Sequence, residues 1–226
     1  MKRRSLIALA VGLTLISVPV YAKKAPPVAQ TAPASPVSAL VDPNLEHEPD
    51  NVLYLDLSTG GRVAIRLVPA WAPAHIERIK SLTREGFYNG IVFHRVIDGF
   101  MAQTGDPSGT GAGGSKLPDL KAEFNRVPHM RGSVSMARTD SPDSANSQFF
   151  IVFYPRLMLD HKYTNFGRVI AGMDVADAIE RGEPPASPTR IVQASLASDN
   201  KPRPVVAQPA VARPISTADL NSSKSN

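Results

Sequence analysis

One run of this sequence places a cation beside apolar groups of unusual kind. Phe93-His94-Arg95-Val96-Ile97-Asp98-Gly99-Phe100-Met101-Ala102-Gln103 brings a guanidinium, an aromatic ring, a thioether and an amide within one short stretch. A second block, Asn146-Ser147-Gln148-Phe149-Phe150-Ile151, adds two aromatics and two further amides. An apolar hollow rimmed by Arg95 and Gln103 would suit a small apolar group attached to a carbonyl. Each block also has a plainer reading. Phe149-Phe150 alone reads as core packing, and Arg95 alone as a surface charge.

Other chemistries fail on residue type or context. The chain has no cysteine, which excludes disulfides, thiolate metal sites, a cysteine nucleophile and a lipid-modified cysteine. His47, His75, His94, His129 and His161 form no pair at the i, i+4 spacing of a helical zinc site. Ser133 and Ser135 lack the G-x-S-x-G elbow. Asp140, Asp143 and Asp160 have no evident partner acid and read as turn caps. Gly109-Thr110-Gly111-Ala112-Gly113-Gly114 matches G-x-G-x-x-G in letters only. Asp106-Pro107-Ser108 precedes it where a buried strand is required, and Pro118 breaks the stretch where a helix should open. It reads as a glycine-rich surface loop, and neither a metal nor an organic cofactor is expected.

The elements that must position these residues are mostly strands. Residues 52–57 are rich in strand formers, 58–61 turn, and 62–67 alternate with Val63, Ile65 and Leu67 on one face, which predicts a hairpin. Pro73 suits a first helical turn, Ile76, Ile79 and Leu82 come after it at near-helical spacing, and Gly86 stops the helix. Residues 91–96, 134–137, 148–153, 166–170 and 190–196 read as further strands, and 173–180 as a second short helix closed by Gly182. Many short strands with two helices predict a mostly antiparallel sheet or a closed barrel.

Composition divides the 226 residues. Lys2, Arg3 and Arg4, the apolar residues 5–18, and Val20-Tyr21-Ala22 form the three parts of a secretory signal, with cleavage expected after Ala22. The apolar stretch falls short of the roughly 20 residues that span a bilayer, so no stable membrane insertion is expected. Residues 23–50 are rich in proline and read as a linker. Residues 197–226 read as a disordered tail, and 51–196 as the folded domain. The formal charge of +5 contains three charges from the leader, so the remainder is near neutral and no nucleic-acid partner is expected.

These blocks, Phe93 to Met101 and Ser147-Gln148-Phe149-Phe150 above all, resemble the cyclophilin family of peptidyl-prolyl cis–trans isomerases over residues 51–196. The resemblance implies a mainly β fold: a closed eight-stranded antiparallel β-barrel capped by two α-helices. It implies Arg95 as the catalytic residue. Phe100, Met101, Phe150 and Leu159 would form the proline pocket, Gln103 and Gln148 its polar wall, and Ala137 and Arg138 the segment that pairs with bound peptide. Where the best-known eukaryotic pattern has Trp, Met158 aligns, and where it has His, Tyr163 aligns. With the leader and the absence of cysteine, the chain is similar to bacterial periplasmic members. The implied partners are unfolded or newly exported proline-containing polypeptides, and a monomer is expected. Two readings compete: a peptide-binding chaperone that makes little use of catalysis, and an interaction protein working through its proline-rich ends.

Overall fold

The computed structural model describes residues 40–206. Strands β1 (Val52–Leu57) and β2 (Arg62–Leu67) form the expected hairpin, with Leu53 opposite Ile65 and Leu55 opposite Val63. The alternating apolar set of β2 is wholly buried, because every second side chain of a strand points to the same face, and here that face lies on the core. Helix α1 (Pro73–Arg84) begins with Pro73 in its first turn. It buries Ile76, Ile79 and Leu82 and ends before Gly86, whose φ of 74° suits glycine.

The remaining strands are β3 (Arg95–Ile97), β4 (Met101–Thr104), β5 (Ser133–Met136), β6 (Phe149–Val152), β7 (Asn165–Ala171) and β8 (Ile191–Leu196). Helix α2 (Met173–Asp177) lies between the last two and buries Ala176. All eight strands join one antiparallel sheet in the order β3-β4-β6-β5-β7-β2-β1-β8. The mainly β, eight-stranded expectation holds, but its closure is corrected. The sheet is an open half-barrel with β3 and β8 as end strands. The reason lies at β3, which is only three residues long. Its Val96 bridges to Gly182 of a loop, not to β8. Toward β8 there is one isolated bridge, Val92 to Arg190.

Three elements differ from the sequence reading by more than a residue or so at an end. Met101–Thr104 has no run of β-branched residues, yet it pairs on both sides, with β3 and with β6. Residues 91–93 are not part of β3: they bond irregularly to residues 189–191, through Phe93 N–H to Thr189 O and Ile191 N–H to Ile91 O. Helix α2 stops at Asp177 because the chain tightens there, with Ile179 N–H reaching back to Ala176 O.

The domain also extends past 51–196 at both ends. The buried Arg66 of β2 donates through Nε to Asp42 O at 3.1 Å and through Nη1 to His47 O at 2.6 Å, and it also reaches Asn44 O. Residues 42–48 are therefore strapped to the sheet, although they were expected in a linker. Residues 197–203, expected in the tail, include a 3-10 turn at Ala197–Asp199. Arg203 Nη2 donates to Gly60 O at 2.8 Å, and Gln193 Nε2 to Pro202 O at 3.1 Å. Side chains that donate to distant backbone carbonyls, Arg66 on one side and Arg203 and Gln193 on the other, order both segments, and composition carries no sign of that. The expected signal segment, the outer linker and the outer tail lie outside the described residues.

The core has two parts, divided by the sheet itself. Val96, Ala102, Val134, Met136, Phe149 and Ile151 face the main core with α1 and the hairpin. Met101, Phe150, Val152 and Leu159 form a second cluster, with Ile97, Phe100, Ala137 and Tyr163 packed against it. Neighbouring residues on one strand thus belong to different clusters, as the pleat demands.

Candidate active site

The second cluster underlies the site. In register, Arg95 of β3 faces Gln103 of β4, Gln103 faces Phe150 of β6, and Phe150 faces Ser135 of β5. Directly opposed residues share a face, so this row sets the guanidinium, the amide and the ring side by side. Two residues before Gln103 on the same strand, Met101 faces Val152 and extends the apolar floor. The tight β3–β4 turn carries Phe100, whose N–H donates to Ile97 O at 3.0 Å. Opposite, the 3-10 turn Leu157–Leu159 supplies Leu159, and Tyr163 lies just beyond it.

The result is a hollow of about 220 Å³ lined by Arg95, Phe100, Met101, Gln103, Ala137, Arg138, Phe150, Leu159 and Tyr163. That is below the roughly 300–1,000 Å³ of sites for drug-sized ligands and suits one small side chain. Met101, Phe150 and Leu159 are buried in its floor, while Arg95 is 42% exposed at its rim. The walls are braced by ring contacts. Phe150 meets Tyr163 edge to face at 5.7 Å, Arg138 stacks on Tyr163 at 4.7 Å, and Arg156 on Phe100 at 5.4 Å. Arg156 also donates to Gly99 O at 2.7 Å, which ties the Phe100 turn to the chain before Leu159. Asp160, expected as a turn cap, ends that 3-10 turn and accepts from His129 N–H at 2.9 Å and from the His129 ring at 2.7 Å. Burial pushes the His129 imidazole below its usual pKa, against the opposing pull of Asp160.

A second hollow of about 360 Å³ adjoins the first and shares Gln103, Ala137 and Arg138 with it. Gln148 lies here, beside Thr139, Ser144, Asn146 and the glycine loop. Gln103 Nε2 donates to Gln148 Oε1 at 2.8 Å, and Gln148 Nε2 donates to Gly111 O and Gly113 O at 2.9 and 2.8 Å. The two amides therefore link the Arg95 row to the loop. The loop is itself wrapped around Asp106, whose carboxylate accepts from Ser108 Oγ and from the N–H groups of Ser108, Thr110, Gly111 and Gly113. Those N–H groups, which a phosphate-binding loop would offer to its ligand, are occupied by a protein carboxylate.

Burial raises the Asp106 pKa, but the bonds from Ser108, Gly113 and Gly111 outweigh it and bring it down to about 2. A folded-state value below the ordinary 3.8 means that ionised Asp106 stabilises the fold fully above about pH 4 and loses that contribution as pH falls toward 2. Asp106→Asn is expected to cost about 2 kcal/mol at pH 7 and almost nothing at pH 2. Urea denaturation of both proteins across that range measures it, and a pH-independent gap would refute the assignment.

Of the residues singled out in the sequence, Arg95, Phe100, Met101, Gln103, Ala137, Arg138, Phe150, Leu159 and Tyr163 are brought into one hollow. Gln148 stands in the adjoining one. Met158 is placed elsewhere: it is 73% exposed and does not line the hollow, because the 3-10 turn buries Leu159 and sends its neighbour outward. Thr139, Ser144, Asn146 and Glu183, the last an ion-pair partner of Arg95, were missed. Asn146 opens the second sequence block but is given no site role there, whereas Glu183 carries no local signal. Among the described residues, no group of three His, Asp or Glu side chains converges on a common point.

Comparison with known proteins points to one family. The family model for cyclophilin-type peptidyl-prolyl cis–trans isomerases matches residues 54–196. A probable peptidyl-prolyl cis–trans isomerase of Brucella suis is 45% identical over 170 residues, covering 68% of this chain and 86% of that protein. Peptidyl-prolyl cis–trans isomerase B of Bacillus subtilis is 39% identical over 132 residues, covering 58% and 91%. Among solved structures, a cyclophilin from Hirschia baltica superposes with a TM-score of 0.64 at 33% identity, covering 69% of this chain and 77% of that one. A cyclophilin-type isomerase of Cryptosporidium parvum, determined in the presence of the dipeptide Ala-Pro, gives 0.60 at 26% identity, covering 64% and 98%.

Proposed function

The chain belongs to the cyclophilin-type peptidyl-prolyl cis–trans isomerases, and on that premise we propose that Arg95 and the hollow beside it catalyse X–Pro isomerisation in newly exported polypeptides. The observation that carries this reading is the register row: a guanidinium at the rim of an apolar hollow sized for one small side chain. The Cryptosporidium relative, determined in the presence of Ala-Pro, lends support to proline as the occupant.

The mechanism rests on the amide. The planar X–Pro bond is held by resonance, and its rotation meets a barrier of about 18–20 kcal/mol. Unaided, the exchange takes tens to hundreds of seconds. At the twisted transition state resonance is lost and the prolyl nitrogen recovers a lone pair. A guanidinium N–H from Arg95 donates to that nitrogen. In the planar ground state the same lone pair is delocalised and accepts poorly, so the bond strengthens only at the top of the barrier. Phe100, Met101, Phe150 and Leu159 hold the ring while the preceding carbonyl swings. The amide of Gln103 and the chain at Ala137–Arg138 steady the flanking peptide. No bond to the substrate is made or broken covalently.

Export rests on the leader: a basic start, an apolar run ending at residue 18, and Val20-Tyr21-Ala22 before the proline-rich segment. The periplasm is the compartment proposed. N-terminal sequencing of the protein recovered from that compartment is expected to begin at Lys23, and an uncleaved Met1 would count against export by this route. For the activity, the chain from residue 23 onward should accelerate isomerisation of a short X–Pro peptide. Binding of that peptide without acceleration would shift the reading to a chaperone that holds proline segments.

A further inference from the structure

Arg95 has a charged partner from the far side of the chain. Its Nε donates to Glu183 Oε2 at 2.7 Å. The two residues lie 88 positions apart, yet their backbones are fixed together one step away. Val96 N–H donates to Gly182 O at 2.8 Å, and Gly182 N–H donates to Val96 O at 2.9 Å. Gly182 has a φ of 144°, and a Cβ there would lie 2.5 Å from Pro185 Cα, so the loop takes this path only with glycine. Asp98, a carboxylate on the β3–β4 turn, faces Arg181 at 3.4 Å. Among the described residues Glu183 is the one carboxylate paired with Arg95.

As a source of stability this pair is slight. The Arg95 side chain is 42% exposed and that of Glu183 50%, and exposed ion pairs contribute little against screening and side-chain entropy. Its geometry has another consequence. A guanidinium is a rigid plane with five N–H donors. Engaging Nε sets the rotation of that plane about the hollow's rim. Nη1 and Nη2 have no intramolecular hydrogen-bond partner among the described residues, so their donors stay available.

We propose that Glu183 is a positioning residue for the isomerase reaction. It acts through Arg95, holding the guanidinium plane so that the remaining donors meet the prolyl nitrogen as the amide twists. Orientation bound in advance is not lost at the barrier, so the effect falls on kcat and not on peptide binding. The inference rests on Arg95 as the transition-state donor.

The test is a double-mutant cycle on the full chain, with kcat and KM for a short X–Pro peptide measured separately. Glu183→Ala is expected to lower kcat about tenfold while KM stays within about twofold. Glu183→Gln keeps an acceptor for Nε and is expected to recover most of that loss. In the Arg95→Ala background, Glu183→Ala is expected to change nothing further. An equal loss in both backgrounds would overturn the proposal in favour of a role in the loop's structure. An unchanged or raised kcat in Glu183→Ala, with Arg95→Ala impaired, would overturn it while leaving the Arg95 reading intact. An Arg95→Ala protein at the parental rate would remove both. Thermal melting checks the fold of each protein, and if Glu183→Ala does not fold, Glu183→Leu, which also lacks an acceptor for Nε, completes the cycle in both backgrounds.

Discussion

Replacing Arg95 with alanine is expected to lower kcat/KM for an X–Pro peptide about 100-fold, equivalent to about 2.7 kcal/mol at the barrier. The loss should fall on kcat, because the donor acts on a lone pair that exists only in the twisted amide. The fold should hardly change. Arg95 stands at the rim, 42% exposed, with Glu183 as its half-exposed ion partner, and its neighbours in the chain, Val96 and Phe93, carry the burial. Equal peptide affinity in parent and variant, read by titration calorimetry, would separate a lost donor from a damaged pocket. Arg95→Lys should restore little, since one ammonium cannot engage Glu183 and the prolyl nitrogen in the fixed plane that a guanidinium offers. Parental kcat in Arg95→Ala would strip the residue of its role and leave the apolar hollow as a binding site alone.

Two adjacent phenylalanines should respond to alanine in opposite ways. Phe149 is fully buried in the main core, edge to face with Tyr88 at 5.6 Å and with Phe166 at 6.1 Å. Its truncation leaves an enclosed cavity beneath the sheet and is expected to cost about 3–5 kcal/mol of stability. That is a large part of the roughly 5–15 kcal/mol that a domain has. Phe150, one residue on, faces the site and Tyr163. Phe150→Ala enlarges a hollow already open to water, so its cost in stability should be smaller, about 1–3 kcal/mol. Its larger effect is on substrate: losing the floor under the proline ring should reduce kcat/KM about 10- to 100-fold, mainly through KM. Thermal melts and steady-state kinetics on the two variants decide it. A Phe150→Ala protein with unchanged KM would show that the ring does not rest there.

This pair also shows how much the sequence disclosed. Phe149-Phe150 taken alone read as core, and both are buried, but in different clusters: Phe149 in the main core and Phe150 in the one beneath the site. Strand alternation guarantees that consecutive residues face opposite ways, but it does not say which face is the main core. The register decides that, through Met136 opposite Phe149 and Gln103 opposite Phe150. The hairpin of β1 and β2, the start and stop of α1 and the strand-rich character were all legible, because periodicity and turn residues act over a few positions. Strand β4 was missed, since Met-Ala-Gln-Thr has no strand signature and is held in place by neighbours on both sides. The closed barrel became an open half-barrel because a loop residue, Gly182, occupies the place beside Val96.

By itself, then, the sequence determined the family and nearly all of the residues that line the hollow, through two long ordered blocks whose internal order is a local property. It also pointed to chemistry built on one cation, amides and apolar rings, since the lack of cysteine excludes thiolate sites and the histidines have no i, i+4 pair. Tertiary structure alone decided that Met158 points away while Leu159 faces in, and that Arg66 straps residues 42–48 to the sheet. It alone brought Glu183 to Arg95 and wrapped the glycine loop around Asp106. The physical reason is common to these cases. Each depends on where a backbone far along the chain, or the path of an irregular loop, is placed by packing, and such placements leave no periodic trace in the order of residues.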